Sequence, residues 1–189
     1  MKKQFRKMRR KPFYLPLVIP ITATLLLLAL ALWWSSQWHA MTLVIVRHAE
    51  KTAVADDPGL TPAGKARAAR LARMLAPVAA DEQPLAVYTT DYRRTRETAE
   101  PAAETWRVDL RLYTPGDAQA FAREIRRRHR GATVLIVGHS NTVPDLVDAF
   151  GGPSGIEIGD DEYDNLFVLT VPRFGAATTL RITFGDELP

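Results

Sequence analysis

The sequence predicts an α/β protein: a three-layer α/β/α sandwich around a mostly parallel central sheet, preceded by one N-terminal transmembrane helix. Three observations predict it. From Thr42 onward, short apolar runs alternate with amphipathic stretches, the pattern of a parallel sheet with crossover helices. Two of the apolar runs end alike, in Arg47-His48 and in Gly138-His139. Ahead of them, Phe13 to Trp34 forms a stretch of 22 residues without a charge. The chain has 189 residues. With the apolar leader set aside, what remains suits one domain with a real core, and not two.

Taking the elements in order, residues 1–12 read as a basic cytoplasmic tail and 13–36 as a membrane anchor. A helix of about 20 residues, rising ~1.5 Å each, crosses a ~30 Å hydrocarbon layer. Pro12, Pro16 and Pro20 predict that the helix proper begins late. The positive-inside tendency keeps the basic block in the cytoplasm, with Trp33, Trp34 and Trp38 at the far interface. That orientation puts residues 41–189 in the periplasm or at the cell exterior. A cleaved signal peptide is the competing reading, but a small residue is missing at −3 of Trp38-His39-Ala40.

Thr42–Val46 is the first predicted strand. Thr61 then serves as an N-cap before Pro62, and a helix continues over Ala63–Leu75. Leu85–Tyr88 is the second strand. A helix over Tyr92–Glu104 follows, closed by an extended Trp106–Leu110. Asp117–Arg130 is a helix whose arginine-rich end suits the negative pole of the dipole, stopped by Gly131. Thr133–Val137 is the most apolar strand, followed by a helix from Asn141 to Phe150. Leu166–Val171 and Thr178–Phe184 close the domain as strands joined by a turn at Arg173–Gly175.

Charge and cysteine content narrow the chemistry. The formal charge is +4, but seven of the 25 Lys and Arg fall within the first eleven residues, leaving 18 basic against 21 acidic side chains. The basicity belongs to the tail, so the domain gives no argument for nucleic-acid binding. With no cysteine and four histidines, disulfides, thiolate catalysis and cysteine metal sites are excluded. No HExxH-like spacing is present, and neither a metal nor a cofactor is expected.

Ligands of open parallel sheets bind beyond the carboxyl ends of the strands, so His48 and His139 should face one crevice. A third strand runs into Thr89-Thr90-Asp91-Tyr92-Arg93-Arg94 at a helix start. One histidine at a strand end is more often a loop or packing residue, and an arginine pair at a helix start is usually a solvated face. Convergence of three strand ends favours a site. His39 and His129 read as structural, and Arg93 as a surface charge.

These residues resemble the histidine phosphatase superfamily, also called phosphoglycerate mutase-like. Its opening Arg-His-Gly/Ala-Glu motif matches Arg47-His48-Ala49-Glu50. A Leu-Thr-x-x-Gly helix start matches Leu60 to Gly64. The central motif matches Thr89 to Ala99, with Arg94 as the phosphate-binding arginine, and the apolar-Gly-His motif matches Val134 to His139.

The resemblance implies catalysis by His48, His139, Arg47 and Arg94. Neutral His48 attacks phosphorus, water then cleaves the phosphohistidine, and the arginines bind the oxygens of the phosphoryl group. His139 donates to the same phosphate. Asn141 is a candidate substrate contact alongside Arg47 and Arg94, although Ser140 and Asn141 also suit the N-terminus of the next helix. Many members carry a further acid that protonates the leaving group. Glu50 and Asp117 are the candidates, while Asp160, Asp161, Glu162 and Asp164 lie in a Gly-rich loop that could flank the site but reads more readily as a solvated loop.

The function so implied is hydrolysis of a phosphomonoester on the extracytoplasmic side of a membrane. The substrate would be a phosphorylated small molecule, glycan or protein. The alternatives are a phosphohistidine or phosphoprotein phosphatase, and a catalytically silent, membrane-anchored phosphoryl-binding module.

Overall fold

A computed structural model describes residues 15–37, 40–53, 56–80 and 83–184. The basic tail 1–12, Trp38 and His39 lie outside the described residues. The chain divides into two compact units, 1–35 and 36–189.

In the first unit, helix α1 spans Leu15–Gln37. It begins earlier than the prolines predicted. Pro16 falls in the first turn, where backbone N–H groups have no helical partner, and Pro20 alone sits inside. Side chains over 18–34 are all exposed. The Thr22 hydroxyl donates to the Val18 carbonyl (2.9 Å), and Thr24 to Pro20 (2.8 Å). Among the described residues no helix is long and apolar enough to cross a membrane.

The second unit runs β1 (Met41–Arg47), α2 (Pro62–Leu75), a 3-10 segment (Ala76–Ala80), β2 (Leu85–Thr89), α3 (Arg93–Trp106), β3 (Leu110–Leu112), α4 (Ala118–Arg128), β4 (Thr133–Gly138), α5 (Thr142–Ala149), β5 (Asn165–Val171) and β6 (Thr178–Thr183). The strand order is β3-β2-β4-β1-β5-β6. Pairings from β3 through β1 are parallel, while β1·β5 and β5·β6 are antiparallel. The sheet is therefore mixed, its antiparallel part confined to the C-terminal hairpin.

Side chains alternate across the sheet. Leu43, Ile45, Val134 and Ile136 pack with Ile125 of α4 and Val143, Leu146 and Val147 of α5. Val44, Val46, Leu135 and Val137 pack with Leu71 and Leu75 of α2 and Ala99, Ala102 and Trp106 of α3. This is how strands covered by helices on both faces come to read as unbroken aliphatic runs.

Local signals explain most boundaries. Thr61 caps α2 by accepting from Gly64 N (3.0 Å), with Pro62 as the first helical residue. Asp117 caps α4, accepting from Ala120 N (2.8 Å). Helix α3 runs past the predicted end because Trp106 is a buried helical residue whose indole donates to the Leu75 carbonyl (2.9 Å), and Arg107 closes it in the left-handed region (φ 55°). The extended segment accordingly starts later, as β3. Helix α4 ends at Arg128, three residues before Gly131. Asn141 precedes α5 without a side-chain capping bond, so capping does not account for it.

Candidate active site

The parallel strands deliver their carboxyl ends to one cleft of about 410 Å³. Its lining includes Arg47 and His48 from the end of β1, Tyr92 and Arg94 from the start of α3, and His139, Asn141 and Thr142 from the β4–α5 connection. Lys51, Pro115, Ser140 and Asp160 complete it. Pairing of Arg47 with Gly138 in the β1·β4 register sets the two histidines side by side, with ring centroids 5.5 Å apart and planes at 68°.

His48 is 3% exposed. Its Nδ1 lies 2.8 Å from the Ala49 carbonyl. A carbonyl only accepts, so Nδ1 carries the proton and Nε2 keeps its lone pair. Ala49 is held in turn, since its N–H donates to the Thr98 hydroxyl (3.0 Å), which donates to the Arg94 carbonyl (2.7 Å). Burial lowers the His48 pKa to about 4. The Ala49 bond opposes this, and Arg47, Arg94 and His139 reinforce it.

His139 Nε2 meets the Thr90 hydroxyl at 2.9 Å, and Nδ1 lies 3.5 Å from the Arg94 guanidinium. Thr90 continues to Thr95 (2.9 Å), whose hydroxyl reaches the Tyr92 carbonyl (2.8 Å). The Tyr92 ring stands edge-on to His139 at 5.1 Å. Burial, then Arg94 and Arg47, lowers the His139 pKa to about 4. Both imidazoles are thus held neutral between guanidiniums.

Arg47 is 5% exposed. Its Nη1 donates to the Gly159 carbonyl (2.6 Å) and the Glu162 carbonyl (3.2 Å), and the Tyr163 ring covers its guanidinium at 4.4 Å. Arg94 stacks over Tyr92 at 4.4 Å and stands 3.9 Å from Asp57. The Nε of each arginine is buried with no acceptor among the described residues. Leaving a cationic donor buried and unpaired is costly.

The two candidate acids lie elsewhere. Glu50 forms a bidentate pair with Arg67 (2.7 and 2.9 Å) and does not line the cleft. Asp117 lies in an adjoining cavity of about 320 Å³ that shares Pro115, Asn141 and Thr142 with the cleft. Arg93 pairs with Glu97 (2.7 Å), its side chain 64% exposed. His129 is buried against the Tyr88 hydroxyl (2.9 Å). Asp160, read from sequence as part of a solvated loop, reaches the cleft instead, and Tyr92, Tyr163, Thr90 and Lys51 were not singled out by sequence. Thr90 lies inside the quoted central motif, so its position was legible but its partner was not. Among the described residues no group of three or more His, Cys, Asp or Glu gathers as a metal site.

No curated protein matches the chain. Among solved structures, the protein histidine phosphatase SixA complexed with tungstate is similar with TM-score 0.61 and 19% identity, over 76% of this chain and 97% of that one. A SixA structure from Agrobacterium tumefaciens gives TM-score 0.57 and 21% identity, covering 76% and 98%. A mycobacterial glucosyl-3-phosphoglycerate phosphatase gives 0.57 and 17%, covering 78% and 100%. At these identities the likeness is one of fold. The model of the histidine phosphatase superfamily (branch 1) matches residues 43–114, the segment carrying Arg47, His48 and Arg94. Over the matched segment the chain is thus similar to the histidine phosphatase superfamily, and in fold it is similar to these phosphoglycerate mutase-like structures.

Proposed function

We propose that this protein hydrolyses phosphomonoesters through a phosphohistidine on His48. One observation carries the reading: the Ala49 carbonyl fixes the His48 tautomer with Nε2 basic, inside a cleft lined by Arg47 and Arg94. Phosphoryl transfer asks mostly for positioning and cationic stabilisation, and Arg47, Arg94 and Lys51 supply the positive charge from the chain itself, with no metal required. Attack by Nε2 splits hydrolysis into two displacements. His139 bonds the phosphate through Nδ1 when the Thr90 hydroxyl donates to its Nε2. Asn141 contacts the substrate from the cleft wall.

The test is a phosphoenzyme trap on the full chain. Labelled substrate should leave an acid-labile, base-stable label that is absent from His48→Ala. Turnover of an aryl phosphate that survives His48→Ala would refute the reading. A second substrate class, phosphohistidine in protein, is compatible with the fold likeness to SixA, described as a protein histidine phosphatase. Preference for a phosphohistidine peptide over alkyl phosphates would select it. A silent phosphoryl-binding module predicts phosphate binding without turnover.

We propose further that residues 13–36 anchor the chain in a membrane, with 1–12 cytoplasmic and the catalytic domain at 41–189 outside. The reading is supported by the uncharged α1, its exposed apolar side chains, and threonine hydroxyls that bond back to the helix's own carbonyls. An alkaline phosphatase fusion after Pro189 is expected to be active outside the cytoplasm. Inactivity there, with the fusion intact, overturns the orientation.

A further inference from the structure

The β1·β5 pairing is antiparallel, with Val46 opposite Leu166. Residues just ahead of Leu166 therefore arrive where β1 delivers Arg47 and His48. There the chain makes a tight turn, Glu162 N donating to the Gly159 carbonyl at 3.1 Å, with Asp160 and Asp161 at its tip. Arg47 grips both ends of this turn, through the carbonyls of Gly159 (2.6 Å) and Glu162 (3.2 Å), and Tyr163 lies over the same guanidinium. On the other side the turn is fastened to the sheet. The Glu162 carboxylate accepts from Asn165 Nδ2 (2.9 Å) and Arg181 Nη2 (3.3 Å), and Arg181 Nε donates to Asn165 Oδ1 (2.8 Å).

One arginine thus both lines the cleft and holds the turn whose tip carries Asp160. Among the described residues lining the cleft, Asp160 is the only carboxylate. Glu50 is committed to Arg67, Asp117 caps α4 in the adjoining cavity, and Asp57 accepts from Arg93 N (3.0 Å) at the start of α3.

We propose that Asp160 is the proton donor to the leaving group, with Glu162 as the residue that positions it. The proposal rests on the phosphohydrolase reading above. As the His48 Nε2–phosphorus bond forms and the phosphorus–oxygen bond of the ester breaks, the Asp160 carboxyl gives its proton to the departing oxygen, which leaves as an alcohol. The Asp160 carboxylate then takes a proton from the water whose oxygen attacks phosphorus. The phosphorus–nitrogen bond breaks, phosphate forms, and His48 returns neutral with Asp160 protonated, so the cycle closes.

A proton donor matters in proportion to the basicity of its leaving group, which gives the test. The full chain and Asp160→Asn are compared on an alkyl phosphate, whose alkoxide is strongly basic, and on 4-nitrophenyl phosphate, whose phenolate leaves readily. Asp160→Asn is expected to lower kcat/KM for the alkyl ester by about 10²–10⁴, the usual range for a general acid. The loss on the nitrophenyl ester should be smaller by about a hundredfold. Glu162→Ala should show the same dependence on the leaving group, more weakly, mainly in kcat. Residual nitrophenyl turnover by Asp160→Asn doubles as a check that the variant folds. Equal losses on both esters, or no loss on the alkyl ester, would overturn the proposal. A native chain that turns over neither ester, or an undiminished His48→Ala, overturns the phosphohydrolase reading itself, and this proposal with it.

Discussion

At the scale of single residues, the proposed chemistry turns on two imidazoles that refuse protons. Burial and the neighbouring guanidiniums hold His48 and His139 near pKa 4 against an ordinary 6.5. The sign of the consequence for stability follows from linkage. Between pH 6.5 and about 4 the unfolded chain binds protons at these positions and the folded chain does not, so stability falls as pH falls through that window and is fully present above it. The amount is on the order of 3 kcal/mol for one such histidine, and less than twice that for two that interact. Melting temperature against pH should therefore drop below pH 6.5 in the native protein and drop less in His48→Ala. For activity, the acid limb of kcat/KM should lie well below 6.5 once the substrate's own ionisation near ~6 is allowed for. An acid limb centred at 6.5 would show that His48 is not shielded as described.

At the scale of elements, the site depends on how helix starts meet strand ends. Gly64, at the third position of α2, packs directly on the loop after β1. A Cβ there would lie 2.3 Å from the Glu50 carbonyl oxygen and 3.1 Å from its nitrogen. Both are backbone atoms, and Glu50 follows the Ala49 that fixes the His48 tautomer. Gly64→Ala is accordingly expected to destabilise the fold by about 1–3 kcal/mol, the usual cost of overpacking, and to lower kcat more than it raises KM. Thermal denaturation together with kinetics checks both; a neutral variant would mean that the loop tolerates displacement.

The same element shows what the sequence made legible. Thr61-Pro62 announced the start of α2, and the Leu-Thr-x-x-Gly pattern marked Gly64, because caps and close approaches are written in adjacent residues. Arg47, His48, Arg94 and His139 were legible as strand-end and helix-start residues, and the structure brings them to one cleft. Asp160 was legible only as one acid of a loop that could flank the site, because its place depends on β5 running antiparallel beside β1, a long-range pairing that local pattern does not encode. Asp57 escaped for a similar reason. A helix opening on Arg93-Arg94 sets cations at its positive pole, and the compensating carboxylate comes from 36 residues earlier in the chain.

At the scale of the whole catalytic unit, charge is divided between two adjoining spaces. Among the described residues, the cleft around His48 is lined by Arg47, Arg94 and Lys51 with Asp160, while the neighbouring cavity contributes Asp117 and Asp145 and no Lys or Arg. Its apolar wall includes Tyr113 and Phe121, stacked at 4.5 Å with planes 16° apart. The two spaces share Pro115, Asn141 and Thr142, so on the proposed reading the far end of a leaving group is expected to extend into this cavity. A leaving group with its own negative charge would meet two carboxylates there. Near a protein surface each such repulsion is worth on the order of 1 kcal/mol, and 1.4 kcal/mol is a factor of ten. Glycerol 3-phosphate and 3-phosphoglycerate differ chiefly in that charge, so the glycerol ester is expected to have the higher kcat/KM by about tenfold or more at low salt. The gap should narrow with added salt. It should narrow also in Asp117→Asn/Asp145→Asn, where asparagine still caps α4 in place of Asp117. Equal rates for the two esters in the native protein would mean that the leaving group exits past Lys51 and Tyr92 instead, leaving the Asp117–Asp145 cavity outside the substrate path.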